Sequence, residues 1–458
     1  MVFKSFFSGL LFFFSISPGF AVEIVSAGQT EDEKRRDTVR YGTETEIAAL
    51  IQTLKDEKSE LMDKNLEAEL VKISQTTRNQ NILTGLLGFF AEREAPGLEE
   101  RALRAIAERD DEAHSTVLAA LDYVGKVHAL AAVAPLEDLL DANEERYMNP
   151  AFKALGRAVK GSKESDPVAE YLIDFYSNRN PPEKSMWEII AALGETGSKA
   201  GLPLLCEIAE NPDERAVVRI AAVEALAKIG DEAGLAAILG ALSSADPNLR
   251  SAAVGSLGPF SGPQAEEAIL ESFRDSYFRT RLGAAKAAGE RKLNGAVPYL
   301  RFRAEYDEVP TVKEASIKAL GAIWDGESKT VLEKLFSDRK TSDRTRILAA
   351  EMLIQNDPGG YTDRVIEEMD DAQKRNQKAL YNGFLKDVCA GKTGKLEGLV
   401  RRFLSSGGVV EKSYALDMIL TNEFKSFAAE IRLLADEKNS GIARKAKAVL
   451  EKLGLPQS

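Results

Sequence analysis

Val218-Arg219-Ile220-Ala221-Ala222-Val223-Glu224-Ala225-Leu226-Ala227-Lys228-Ile229-Gly230 is the stretch whose reading decides the fold. Its apolar residues at 218, 221, 222, 225, 226 and 229 keep the 3.6-residue period of a helix with one buried stripe. Gly230 closes it, as a residue able to take left-handed backbone does at a helix C-terminus. Just upstream, Leu202, Leu205, Cys206 and Ala209 fall on one face of a second short helix. The unit is therefore two helices.

With Leu226 as a landmark, equivalent positions are Leu87, Leu121, Leu155, Leu193, Leu257, Ala288, Leu320, Leu353, Leu385, Met418 and Leu450, at steps of 31 to 38 residues. A two-helix unit of this length cannot bury its apolar stripe alone, so successive units must stack and share a core. The spacing predicts an all-α chain, an α-solenoid of about twelve or thirteen stacked helical hairpins over residues 43–458. Within it, Asp246 followed by Pro247 reads as a side-chain cap with proline in the first turn. Thr43 with Glu46 reads as a capping box ahead of a helical unit over 43–75. The mixed charges between Glu31 and Asp37 suggest that 22–42 is a mobile leader or a frayed helix.

The whole chain has 458 residues, 44% hydrophobic and 29% charged, which fits a folded chain better than a disordered or membrane-embedded one. Residues 1–21 carry one charge, Lys4, then a Phe- and Leu-rich run, then Pro18-Gly19-Phe20-Ala21. This reads as a secretory signal peptide cut before Val22, and periplasmic export is the expectation. Removing it takes away Lys4 and no acid, leaving 59 bases against 72 acids and a net charge of -13. Such a field repels nucleic acid and anionic lipid.

Several residues bring a known family into view: Asp246-Pro247-Asn248-Leu249-Arg250 with Ala252-Ala253 and Leu257-Gly258, and Val312-Lys313 with Ala315 and Ala319-Leu320-Gly321. Part of a Gly-x-x-Pro-x-Leu opening appears as Ala296-Val297-Pro298-Tyr299-Leu300 and Gly201-Leu202-Pro203-Leu204-Leu205. On these residues the chain resembles HEAT-repeat proteins, especially the short bacterial type also found in bilin-lyase-like chains. The match is best over 185–330 and weaker over 80–184 and beyond 370, where Gly and Arg landmarks are lost. Fold likeness is only an associational guide to function.

Bases recur near the start of the second helix, at Arg219, Arg250, Arg281, Lys313, Arg346 and Lys378. Such a row could grip a polyanion. The resemblance implies instead a structural ladder between neighbouring repeats, with Asp213, Asp275 and Asp307 six residues before Arg219, Arg281 and Lys313. Each cation is then already paired.

His114 and His128 are followed by Ser115 and Ala129, not by the glutamates that hold the iron pair of HEAT-like deoxyhypusine hydroxylase, and two dispersed histidines make no metal site. Cys206 and Cys389 lie on apolar helical faces five to six repeats apart. That is about 50 Å of stacked helices, too far for a disulfide, so both are expected as inert thiols. No phosphate loop, nucleophile elbow or metal-binding helix motif occurs.

Aromatics gather at Tyr277, Phe278, Tyr299, Phe302 and Tyr306. The spacing of the last three fits packing between repeats, and exposed Tyr and Phe beside Arg also mark binding hot spots. The segment 141–185, with Pro150, Pro167 and Pro181-Pro182, is a second irregular place. The expected function is a non-catalytic exported scaffold holding a protein or peptide on the concave face lined by second helices, without cofactor, metal or nucleic acid. The alternative is a small-ligand or cofactor-handling protein akin to HEAT-like lyases, which needs a cavity of roughly 300 Å³.

Overall fold

A computed structural model of the chain describes residues 30–57, 63–406 and 408–456. The leader over 1–21 and residues 22–29 lie outside the described residues. Among those described, 26 α-helices pair into thirteen hairpins without a strand. The first three are α1 (Glu31–Tyr41) with α2 (Glu44–Glu57), α3 (Lys64–Thr76) with α4 (Gln80–Glu92), and α5 (Glu99–Ala107) with α6 (His114–Lys126). Next come α7 (Val133–Asp141) with α8 (Glu145–Ala158), α9 (Ser165–Asn178) with α10 (Met186–Thr196), and α11 (Leu202–Glu210) with α12 (Ala216–Ile229). Then follow α13 (Leu235–Ala241) with α14 (Pro247–Gly255), α15 (Pro263–Ser272) with α16 (Phe278–Glu290), and α17 (Val297–Tyr306) with α18 (Pro310–Ile323). The last four are α19 (Gly326–Ser337) with α20 (Asp343–Asn356), α21 (Pro358–Lys374) with α22 (Lys378–Ala390), α23 (Glu397–Ser406) with α24 (Val409–Asn422), and α25 (Ala428–Ala435) with α26 (Ser440–Lys452).

Two compact units divide the chain, Met1–Ala120 and Leu121–Ser458. In the first, α1 packs on α3 and α2 on α4, so hairpins lie side by side. In the second, the even-numbered helices from α8 to α26 form one row, each packed on the next, and α11, α13 and α15 do the same in a parallel layer. The core lies between the two layers. All twelve landmarks are buried, none more than 1% exposed. Eleven sit inside second helices and Leu257 lies two residues past the end of α14. Burying one such side chain contributes about 1.5–3 kcal/mol, which no single hairpin could collect alone.

Local chemistry sets the helix ends. Asp246 accepts the amide of Asn248 at 2.8 Å, with Pro247 opening α14. Gly230 caps α12 in left-handed backbone at φ 68°. Trp324 and Glu423 hold the same conformation at φ 52° and 53° after α18 and α24. A side chain there costs about 1–2 kcal/mol, which the flanking hairpins must offset.

The N-terminal region differs from its sequence expectation. Glu31–Tyr41 is a regular helix with a capping box made by Thr30 and Glu33, and Val39 is buried. Its charges are not a solvated leader: Arg35 reaches Glu57 at 2.7 Å, Arg40 reaches Glu69 at 2.7 Å, and Arg36 approaches Asp63 at 3.6 Å. Thr43 and Glu46 do form a capping box, at 2.7 and 3.3 Å, but the helix it starts closes the first hairpin. The stretch 43–75 therefore holds the second helix of one hairpin and the first of the next. The 38-residue step from Leu155 to Leu193 is absorbed by the 14-residue α9 and the proline turn after it.

Candidate interaction surface

The row of bases is the first element to place. Arg219, Arg250, Arg281, Lys313 and Arg346 are each the fourth residue of a second helix, α12, α14, α16, α18 and α20. From there the side chain reaches back to unsatisfied carbonyls at the end of its own hairpin's first helix. Arg219 donates to Ala209 O at 2.9 Å, Arg250 to Ser244 O at 3.0 Å, and Arg281 to Asp275 O at 3.0 Å. Lys313 donates to Glu305 O at 3.0 Å and Arg346 to Phe336 O at 2.9 Å.

Three of these guanidinium forks also grip the following hairpin. Arg250 binds both oxygens of Asp275 at 2.7 and 2.9 Å, and Arg281 binds those of Asp307 at 2.7 and 2.9 Å. Arg346 meets Glu368 at 2.7 Å. The ladder thus runs from Arg250, Arg281 and Arg346 forward to the next hairpin, which corrects the pairing of an acid with the base six residues after it. Asp213 makes no ion pair among the described residues, because the position seven before landmark Leu193, where the preceding hairpin would supply a base, is Met186. Lys313, a point charge without a fork, satisfies the carbonyl alone. The Arg250 hydrogen bond holds the Asp275 carboxyl below its usual range. Burial pushes Asp307 the other way, but Arg281 and the Val309 amide outweigh it. Bases committed in this way are not open to a polyanion.

A second set of ties went unread in the sequence. At the C-terminal ends of second helices, Arg157 lies 3.8 Å from Asp122 and 3.7 Å from Glu195, and Lys228 lies 2.9 Å from Glu195. Charge alternates from α6 to α12, at one or two residues past each landmark. That alternation is the signal that could have found it. Further on, Asn422 does similar work without charge, donating to Gly391 O at 3.2 Å and accepting the Thr393 amide at 2.7 Å.

The aromatic group splits in two. Tyr299 stacks on Phe273, centroids 5.6 Å apart, with Arg274 over its outer side at 5.4 Å. Tyr277 bonds Asn248 at 3.0 Å and meets Phe278 edge-on. These are packing between hairpins. Phe302 and Tyr306 lie one turn apart on α17 and remain 52% and 64% exposed, with Arg303 over Phe302 at 5.3 Å. Val297, Leu300 and Ala304 bury the opposite face of α17, so this helix is apolar on both sides. Two clefts flank the ridge. One of about 290 Å³ lies between Phe273, Arg274 and Tyr299, Phe302, Arg303. The other, of about 410 Å³, runs from Tyr306 to Lys334 and Lys340. Phe302 and Tyr306 stand on the first-helix layer, and the larger cleft is closed by its turns and by Lys313 and Thr345 at the starts of second helices; the ridge is not on the second-helix face expected to hold a partner.

Two histidines and two cysteines remain to be placed. His128, in left-handed backbone, meets Arg157 O through Nδ1 at 2.7 Å, and His114 opens α6. Cys206 and Cys389 are free thiols. Burial raises the Cys206 thiol and pushes that of Cys389 up to about 12, the reverse of what a nucleophile needs. No group of three metal-ligating side chains occurs among the described residues. No helix among them is long and apolar enough to cross a membrane.

The family model described as spirochaete HEAT repeat protein matches residues 39–449. No curated protein matches the chain. Among solved structures it is similar to Kap121p, at 11% identity and a TM-score of 0.44, over 92% of this chain and 53% of that one. Kap121p bound to the extreme C-terminus of Cdc14p gives 12%, 0.45, 93% and 54%. Importin beta gives 14%, 0.43, 92% and 64%. The chain spans about half the length of Kap121p and under two thirds of importin beta.

Proposed function

We propose that this chain, which belongs to the spirochaete HEAT repeat protein family, is a non-catalytic scaffold that holds a protein or peptide partner on the first-helix layer around α17. The observation that carries this is the pair Phe302 and Tyr306, left largely in solvent on a helix whose other face is fully packed. Exposed aromatics beside arginine are the side chains that dominate binding hot spots. The second-helix layer supports the reading from the other side, since its Asp122, Arg157, Glu195 and Lys228 are occupied with one another. The sequence expectation of a partner on the second-helix face is accordingly moved to the opposite layer.

Cross-linking in native cells should recover one partner in stoichiometric amount with the wild-type chain and lose it with Phe302→Ser/Tyr306→Ser. Equal recovery by both chains would remove the site. The scaffold acts in the periplasm, on the reading of 1–21 as a cleaved leader. Mass spectrometry of the native protein should then find Val22 at its N-terminus, and an intact Met1 would remove export. A small-ligand role is the second reading, favoured by the cleft of about 290 Å³, near the lower end of ligand-pocket size. One equivalent of a retained small molecule in the purified protein would favour it over the scaffold.

A further inference from the structure

The ridge on α17 stands between two cations that repeat its place in the stack. Arg274 lies in the turn after α15, Tyr306 at the end of α17, and Lys340 in the turn after α19, so the three step along the array one hairpin at a time. Arg274 is exposed; besides its place over the Tyr299 ring and a 3.4 Å contact to the Tyr299 hydroxyl, its one ion pair is an exposed i,i+3 pair with Glu271 at 2.6 Å, the kind worth little in water. Lys340 is exposed and forms no ion pair among the described residues. Each lines one of the two clefts beside Phe302 and Tyr306.

Charge around the ridge departs from that of the chain. Between Glu271 and Arg303 there are eight Lys and Arg against three Asp and Glu, a local net of +5 in a chain of net -12. The first cleft offers Arg274 and Arg303 and no acid. The second offers Lys313, Lys334 and Lys340 against Glu305 and Asp338. An acidic partner is therefore favoured locally although the whole molecule repels it, and electrostatic complementarity selects the partner more than it sets the affinity.

Resting on the scaffold reading of this surface, we propose that its occupant is an extended acidic peptide segment with an aromatic or large apolar residue flanked by two carboxylates, each about three residues away. The spacing follows from geometry. Neighbouring helices in a layer lie about 8–10 Å apart, so Arg274 and Lys340, two hairpins apart, are separated by about 16–20 Å. An extended chain covers about 3.3 Å per residue, so five or six residues join the two cations. The middle of that span falls at the end of α17, where an apolar side chain covers the neighbouring exposed rings of Tyr306 and Phe302, centroids 5.4 Å apart. The carboxylates meet Arg274 and Lys340 at either end.

The test is fluorescence anisotropy with the full chain and labelled 11-residue peptides carrying Glu at positions 3 and 9 and Phe at position 6. The acidic peptide should bind at least tenfold more tightly than the same peptide with Gln for both Glu, and than an isomer with the two Glu adjacent. Arg274→Glu/Lys340→Glu should weaken it at least tenfold and shift preference to the peptide with Lys at 3 and 9. Phe302→Ser should weaken every peptide that carries the central Phe. All three side chains are exposed, and an unchanged thermal midpoint confirms that the variants fold. Equal binding of the Gln peptide, still lost in Phe302→Ser, would overturn the acidic assignment and leave the scaffold reading standing. Binding indifferent to Phe302→Ser as well would overturn both. Equal binding of oligothymidylate through Arg274 and Lys340 would give the surface to nucleic acid and overturn the inference, as would failure of every peptide to bind.

Discussion

The hairpins from α7 to α18 and those from α19 to α26 share one apolar period, yet they are tied together differently. In the first group, glycines just past or near the landmarks let second helices approach backbone to backbone. A Cβ on Gly156 would overlap the carbonyl of Ala192, one on Gly194 would lie 2.6 Å from Ala225 Cα, and one on Gly289 would lie 2.9 Å from Ala319 Cα. Two bidentate Arg–Asp pairs tie hairpins in the same group, Arg281–Asp307 across the joint that holds Gly289 and Arg250–Asp275 across the one before it. In the second group, after Arg346, the one bidentate Arg–Asp fork among the described residues joins first helices, Arg402 of α23 to Asp370 of α21 at 2.7 and 2.9 Å, and the ties at second helices are looser. Lys412 makes a single 2.8 Å contact to Glu437, whose Oε2 is buried without a partner. The Asp387 carboxylate, buried on α22, leaves Oδ2 unpaired. Gly383 lies against the side chain of Ile347, not against backbone. Apolar spacing is enough to build the array, and polar forks with small residues decide how rigidly one hairpin is registered on the next.

Breaking that contrast is most direct at Asp307, whose side chain is fully buried against Arg281. Asp307→Ala leaves a buried guanidinium without its partner and should cost about 3–5 kcal/mol, whereas Glu437→Ala, at a partly exposed pair, should cost less than about 1 kcal/mol. Denaturant midpoints of the two variants measure the difference, and equal shifts would erase the distinction. Next in size is Gly156→Ala, at about 2–3 kcal/mol through overpacking. The control is Gly240→Ala in α13, where nothing lies within 4 Å of the added Cβ and stability should rise by up to about 1 kcal/mol.

The third effect, in the C-terminal hairpins, has the opposite pH sign to the centre. Burial, with the Glu351 carboxylate on α20 adding to it and Lys386 opposing it, lifts Asp387 to about 7. Its folded pKa lies above the unfolded value, so the folded state binds the extra proton. Stability from this site is gained as pH falls through 7 toward 4 and lost above. Asp275 and Asp307 are depressed, so their contribution holds above the unfolded carboxylate value and is lost only in stronger acid. Asp387→Asn should stabilise the chain at pH 8 by about 1–2 kcal/mol and flatten the profile between pH 5 and 8. A profile unchanged by the substitution would show that the site does not titrate there.

Much of this was readable in advance, for reasons visible at particular residues. The landmark leucines could be found because helical period and burial coincide: Leu226 is buried for the same reason that it repeats. Gly230 announced its left-handed cap, but Trp324 and Glu423 take the same backbone without glycine, so those two helix ends carried no cap signal. The direction of the arginine ladder was hidden. Asp275 is six residues from Arg281 in sequence but joined to Arg250 in space, and only the stacking of hairpins brings residues 25 apart together. Phe302 and Tyr306 were indistinguishable from Tyr299 by spacing, because a helix apolar on both faces does not say which face the neighbours cover.

The sequence by itself determined that the chain is a stack of helical hairpins, since an amphipathic pair too short to form a core must borrow one from its neighbours. It gave away the repeat length, the buried stripe and the caps at Thr43, Asp246 and Gly230, all set by residues close together in the chain. Tertiary structure alone decided which bases tie hairpins together, which carboxylates are left unpaired, and that two aromatic rings of α17 face water. Those outcomes depend on the distance between side chains one hairpin apart, a quantity set by helix packing and not by local sequence.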